Sequence, residues 1–270
     1  MHGTRWLTAV FALPVLFTLL AAGGPFLFFL LILAVAGIAH TEYHRIVDAR
    51  FQTAADSELR WAARMGLAFL VLSGFWGLTA LMGGLFLALM VLIALCMLRF
   101  ARFPGLLGLI PFEVQGLLWI ALPLGCLGAL RMTEHGVTWV FFTLFLVGCG
   151  DTGAYYAGRF WGKRKLAPAI SPAKTLEGFA GGVGLTLVVA LIFQLFFLTD
   201  YALLPLLFIA LVTALTAPLG DLFESMQKRV AGIKDSGTLL PGHGGMLDRI
   251  DALLFAAPVV FLMRTWFFGS

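Results

Sequence analysis

Charge is scarce in this chain. Asp, Glu, Lys and Arg make up 12% of its 270 residues, about half the roughly 25% of a soluble domain. With 61% hydrophobic residues and a mean hydropathy of +0.98, the chain cannot coat itself with polar side chains. A soluble globular protein and a disordered tail are both excluded. Cysteine is scarce too: Cys96, Cys126 and Cys149 each lie inside an apolar run without metal-ligand spacing. They read as buried free thiols, which excludes a disulfide-stapled secreted module. The net charge of +4 is too small and too dispersed to suggest nucleic acid. What the chain has in abundance is long apolar stretches, so it reads as an all-α, polytopic membrane protein.

A spanning helix needs roughly 20 apolar residues to cross about 30 Å of hydrocarbon. Two uncharged runs, 6–39 and 65–98, are 34 residues each, about 51 Å as straight helices and too long for one crossing. Gly23-Gly24-Pro25 interrupts the first and Gly83-Gly84 the second, so both read as helical hairpins. A cleaved signal peptide ending near Ala21-Ala22-Gly23 is the alternative to a first span; its 17-residue apolar stretch is longer than most signal cores. Residues 103–130, with Glu113 and three prolines, read as one crossing. Further crossings are expected at 137–158, 178–199, 201–220 and 248–268, giving about nine helices. The chain divides at 136/137 into an N-terminal transmembrane region (1–136) and a C-terminal region (137–270) holding two polar loops.

Lys and Arg are retained on the cytoplasmic side. With the N-terminus cytoplasmic, sixteen of the eighteen basic residues fall inside and only Arg131 and Arg264 outside. A second crossing within 103–130 would move the last two basic clusters outside and abolish that bias.

Eight of the fourteen acids lie after residue 150: Asp151, Glu177, Asp200, Asp221, Glu224, Asp235, Asp248 and Asp251. Glu177 also fits a helix cap. Ionisable groups at membrane depth are costly and point to function. Asp221, Glu224 and Ser225 share one helical face, Asp248 and Asp251 open the last helix at i, i+3, and Asp151 lies near the end of another. One acid at a helix start would be dipole complementarity. Three acidic points at one membrane face suit a hard cation, which takes carboxylate oxygens, water and substrate phosphate. Beside them stand two basic, glycine- or hydroxyl-rich stretches. One runs through Lys228, Arg229, Lys234, Asp235, Ser236, Gly237 and Pro241 to His243, Gly244 and Gly245; the other holds Lys163-Arg164-Lys165 and Ser171, Lys174 and Thr175. Either alone is a membrane anchor. Together with the acids they point to a metal-dependent enzyme acting on phosphates at the cytoplasmic membrane surface.

The order Ser225-x₂-Lys228-Arg229-x₄-Lys234-Asp235-x-Gly237-x₃-Pro241-x-His243-Gly244-Gly245-x₂-Asp248-Arg249-x-Asp251 resembles the C-terminal signature of phosphatidate cytidylyltransferases (CDP-diacylglycerol synthases). Asp151 to Tyr155 and Ser171-Pro172-x-Lys174-Thr175 are similar to that family's upstream stretch. The likeness is strong from about Gly150 onward; before that only hydropathy agrees, and Gln227 stands where the family usually has an apolar or aromatic residue. The resemblance implies the reaction CTP + phosphatidate → CDP-diacylglycerol + pyrophosphate at the inner (cytoplasmic) membrane, with Mg²⁺ alone or with a second cation, in a multi-helix homodimer. On that basis Asp221 and Asp248 are expected to hold the metal, with Asp251 and Asp151 as further ligands or partners of the ligands. Lys228, Arg229, Lys234 and Arg249 are expected to neutralise phosphate oxygens, while Ser225, His243, Gly244 and Gly245 bind substrate opposite Ser171, Lys174 and Thr175. The rival readings are another nucleotide- or phosphate-dependent lipid transferase or kinase and, from a different class, an anion transporter. A transporter would place its acids along a path through the midplane.

Overall fold

The computed structural model describes residues 18–51, 57–101, 104–237 and 244–269. They fall into two compact units, Met1–Met132 with Val230–Arg249, and Thr133–Arg229 with Ile250–Ser270. Seven helices among the described residues are long and apolar enough to cross a membrane, which makes this a multi-pass, essentially all-helical membrane protein.

In the first unit, residues 18–22 are helical and the helix stops at Gly23-Gly24, as the glycines imply. Most of the expected first crossing (6–22) and its signal-peptide alternative lie outside the described residues. Helix α1 (Pro25–Phe51) opens on Pro25, where a missing N–H costs nothing. Helix α2 (Ser57–Ser73) and helix α3 (Leu78–Arg99) form the next hairpin. The expected break at Gly83-Gly84 is corrected here, because both glycines lie inside α3. The turn is instead Gly74–Trp76 followed by Gly77, whose φ of 87° a side chain would strain. Gly84 serves packing: a Cβ there would come within 2.9 Å of the Ser73 Cβ. Two glycines in sequence signalled a break, but one is used for close approach.

Helix α4 is built from Ile110–Gly116, a π-turn at Leu117–Ala121 and Leu122–Arg131. It forms a single candidate span, Gly105–Arg131, in keeping with the one crossing expected there. Its prolines are accommodated in three ways. Pro104 begins a 3₁₀ turn, Pro111 occupies the first helical turn, and Pro123 follows the π-turn, which widens the helix where the ring would strike a carbonyl.

The second unit carries helix α5 (Gly136–Trp161), a ribbon of strands β1 (Lys165–Ala167) and β2 (Ser171–Thr175), helix α6 (Leu176–Phe196) and helix α7 (Leu203–Ala231). Helix α8 (Leu247–Phe268) belongs to this unit from Ile250. The antiparallel ribbon pairs Lys165 with Thr175 and Ala167 with Ser171, a short departure from the helical pattern. Helix α7 also runs well past Gly220, so Lys228 and Arg229, expected in a loop, stand on its last turn.

Small residues let these helices touch. A Cβ on Gly153 would come within 2.7 Å of the Gly181 carbonyl oxygen, and one on Gly178 within 2.7 Å of that of Ala154. Helices α5 and α6 thus meet backbone to backbone, as small-residue stripes allow in membranes where no hydrophobic force joins helices. The Thr186 hydroxyl donates to the Leu146 carbonyl across the same seam (3.3 Å). Ala217, Ala252 and Ala256 form a buried cluster against Val147, and a methyl on Gly220 would overlap the Asp251 carbonyl. These contacts bring three acid-bearing helix segments together.

Candidate active site

In the second unit, Asp151 on α5, Asp221 on α7 and Asp251 on α8 lie close enough for their charges to act on one another. Lys174 on β2 reaches Asp221, Nζ to Oδ2 2.7 Å. The Ser225 hydroxyl, one turn along α7, donates to Asp221 Oδ1 (3.2 Å). A further turn on, Lys228 donates to Glu224 (3.1 Å), whose carboxylate is buried within hydrogen-bond reach of Asp251. Arg229 donates to the Ile170 carbonyl at the ribbon tip (3.4 Å). The end of α7 is therefore tied to the ribbon twice, through Lys174 and through Arg229.

The ribbon is fixed at its base. The Thr175 hydroxyl caps α6 by accepting the Gly178 N–H (3.1 Å). Glu177 accepts the backbone N–H groups of Lys163 and Arg164 (3.0 and 3.1 Å) and the Arg164 side chain (3.1 Å). Glu177 therefore clasps the loop that follows α5 rather than capping α6, whose cap is Thr175.

A cleft of about 540 Å³ opens between α5, α6 and α7, with Asp151, Arg159, Lys174 and Asp221 among its lining residues. It changes character along its length. Leu146 on α5, Val183 and Thr186 on α6, and Thr213 and Ala214 on α7 line one end; the charged groups line the other. Leu146 to Arg159 spans about 20 Å of helix. Thr175 lines the cleft beside Lys174, its hydroxyl engaged as a cap, whereas Ser171 is not among the lining residues. Asp151 and Asp221 line the cleft and Asp251 does not; carboxylate oxygens of this kind suit a hard cation such as Mg²⁺, which takes one or two of them with waters and substrate phosphates.

Lys234, Gly244, Gly245, Asp248 and Arg249 lie in the first unit; His243 lies outside the described residues. Asp248 Oδ2 accepts the backbone N–H groups of Ser236 (3.1 Å) and Gly245 (2.8 Å). Gly244, at φ 78°, takes a left-handed turn that favours glycine. Lys234 and Arg249 are exposed. The residue that sequence reasoning missed is Glu42 on α1. It is buried and accepts the Ser236 hydroxyl (3.2 Å) and the N–H groups of Met246 (3.1 Å) and Leu247 (2.8 Å). Its carboxylate therefore caps the start of α8, and a methyl on Gly237 or Gly245 would overlap it. The available signal was a carboxylate within a segment long and apolar enough to span a membrane, Pro25–Phe51.

A model of the cytidylyltransferase family matches residues 3–267. The phosphatidate cytidylyltransferase of Bacillus subtilis (strain 168) is 45% identical over 137 residues, 51% of this chain and 51% of the relative. That of Staphylococcus saprophyticus is 45% identical over 130 residues, 48% and 50% of the two chains. That of Haemophilus influenzae is 45% identical over 138 residues, 50% and 47%. The matched stretch spans about half the length of each of these curated relatives. The family match, by contrast, runs nearly end to end, and the chain belongs to the cytidylyltransferase family.

Proposed function

We propose that the chain is a phosphatidate cytidylyltransferase, transferring the cytidylyl group of CTP to phosphatidate at the cytoplasmic membrane. The observation that carries this reading is the polarity of the cleft in the second unit. An amphiphile can keep its tails at the apolar end, near Leu146 and Val183, while its phosphate reaches Lys174 and Asp221. The volume of about 540 Å³ lies within the usual range of ligand sites. The named relatives are phosphatidate cytidylyltransferases, which supports this choice over other lipid transferases or kinases and over an anion transporter. The positive-inside count supports a cytoplasmic side for the charged end of the cleft. A homodimer follows from the resemblance alone, and the mass of the detergent-purified particle checks it.

In the reaction a phosphatidate phosphate oxygen attacks the α-phosphorus of CTP, and the bond to the bridging oxygen breaks as pyrophosphate leaves. The attacking oxygen is already anionic, so no side chain need remove a proton; the residues position and neutralise. Lys174, held by Asp221, is placed to meet a phosphate oxygen. Lys228 and Arg229 add charge along the end of α7, and Arg159 along α5. Asp151, Asp221 and Asp251 would hold Mg²⁺, which when bound offsets the charge of the phosphate chain. Asp248 and Arg249 remain expectations of the resemblance, Asp248 having one oxygen engaged by two backbone amides.

The test is mass detection of CDP-diacylglycerol from purified protein, CTP and phosphatidate, with and without EDTA. Product formed only with free divalent cation supports the reading. No lipid nucleotide under any condition overturns it, and phosphate-ester flux in liposomes without covalent product would favour a transporter.

A further inference from the structure

The segment His40-Thr41-Glu42-Tyr43-His44 of α1 puts two imidazoles one helical turn apart and so on one face. Both are buried, as is Glu113 on α4. Glu113 Oε2 lies 3.2 Å from His44 Nε2 and 3.9 Å from His40 Nε2. Yet neither imidazole has a hydrogen-bond partner at either nitrogen, and Glu113 Oε2 has none. Groups this close, buried, and off the hydrogen-bond line are aimed at a common point rather than at one another. One ligand atom from each residue lies within 4.8 Å of the other two.

The surroundings suit a centre there. Gly116 leaves room for the His40 ring against α4, since a Cβ would stand 3.2 Å from His40 Nε2. The Tyr43 hydroxyl donates to the Phe112 carbonyl (2.9 Å), tying the two ligand-bearing helices beside Glu113. A void of about 10 Å³ adjoins the cluster, lined by His44, Leu59, Phe112 and Glu113 among others, about enough for one water. Two arginines, Arg60 and Arg64, oppose positive charge at the cluster, and the Glu113 carboxylate faces it from α4. Arg60 is paired with Asp48, and Arg64 lies over the Trp61 ring (5.2 Å).

The geometry points to a divalent transition-metal site, made by His40, His44 and Glu113 with a water as fourth ligand. Two imidazoles and a carboxylate are a donor set for Zn²⁺, whereas Mg²⁺ takes oxygen ligands. The site joins α1 to α4 and fixes the rotation of α1, which carries Glu42 to the start of α8. It is independent of the cleft in the second unit and of the reaction proposed for it.

The test uses the full-length protein in detergent, stripped with chelator, given one equivalent of Zn²⁺ and desalted before elemental analysis. About one retained ion per chain is expected, and Co²⁺ in its place should give the intense visible bands of a four-coordinate centre. His44→Ala and Glu113→Gln should lose both signals, while Asp221→Asn keeps them. Wild-type protein that retains no Zn²⁺, or whose Co²⁺ spectrum is that of the aquo ion, overturns the proposal whether or not the variants fold. So does full Zn²⁺ retention by folded His44→Ala and Glu113→Gln.

Discussion

Asp221 concentrates several interactions in one carboxylate: Lys174 on one oxygen, Ser225 on the other, and Asp151 and Asp251 nearby. Asp221→Asn keeps the size and removes the charge, leaving Lys174 without its counter-ion. Turnover of CTP and phosphatidate should fall about 10²–10³-fold, the usual effect of losing one preorganised electrostatic group. Near-normal turnover across a range of Mg²⁺ concentrations would remove Asp221 from the metal. Ser225→Ala deletes one hydrogen bond, worth about 1 kcal/mol, and should cost less than about tenfold by the same arithmetic. Lys174→Met separates catalysis from anchoring: a rise in KM for CTP at unchanged protein yield places Lys174 on substrate, while a change in yield alone makes it an anchor.

The elements show how far helix boundaries follow from glycine and proline. Gly23-Gly24-Pro25 ends one helix and begins another as its composition says, but Gly83-Gly84 does not, because Gly84 is occupied by the approach of Ser73. A glycine that turns the chain and one that admits a neighbour look the same in sequence; only the partner distinguishes them. The α5–α6 seam turns that distinction into a prediction. Gly153→Val would force a side chain against the Gly181 carbonyl and Leu185, and such overpacking costs about 1–3 kcal/mol. The thermal unfolding midpoint in detergent should drop, and activity with it, since this seam carries Asp151 and the ribbon. Gly148→Ala, five residues back on the same helix with nothing within 4 Å of the new methyl, should leave both unchanged.

For the molecule as a whole, the polar segments from Gly150 onward were legible because charge gathers there in an apolar chain, and some partners are close by in sequence. Asp221 meets Ser225, and Glu177 the loop just before it. Glu42 was not legible in this way, since its partners at Met246 and Leu247 lie about 200 residues away; nor was Glu113, which meets two histidines on α1. Orientation rests on a different property of the whole chain, the distribution of Lys and Arg, and it can be tested directly. With Cys96, Cys126 and Cys149 replaced by alanine or serine, one cysteine is placed at Glu134, between α4 and α5, or at Ala169, in the ribbon turn; both sites are exposed. Because α5 is a candidate span, the two positions should lie on opposite sides of the membrane. A membrane-impermeant maleimide should label residue 134 in intact cells and residue 169 only after permeabilisation. The reverse pattern would put Lys174 and Asp221 outside, away from cytoplasmic CTP, and would overturn both the orientation and the proposed reaction.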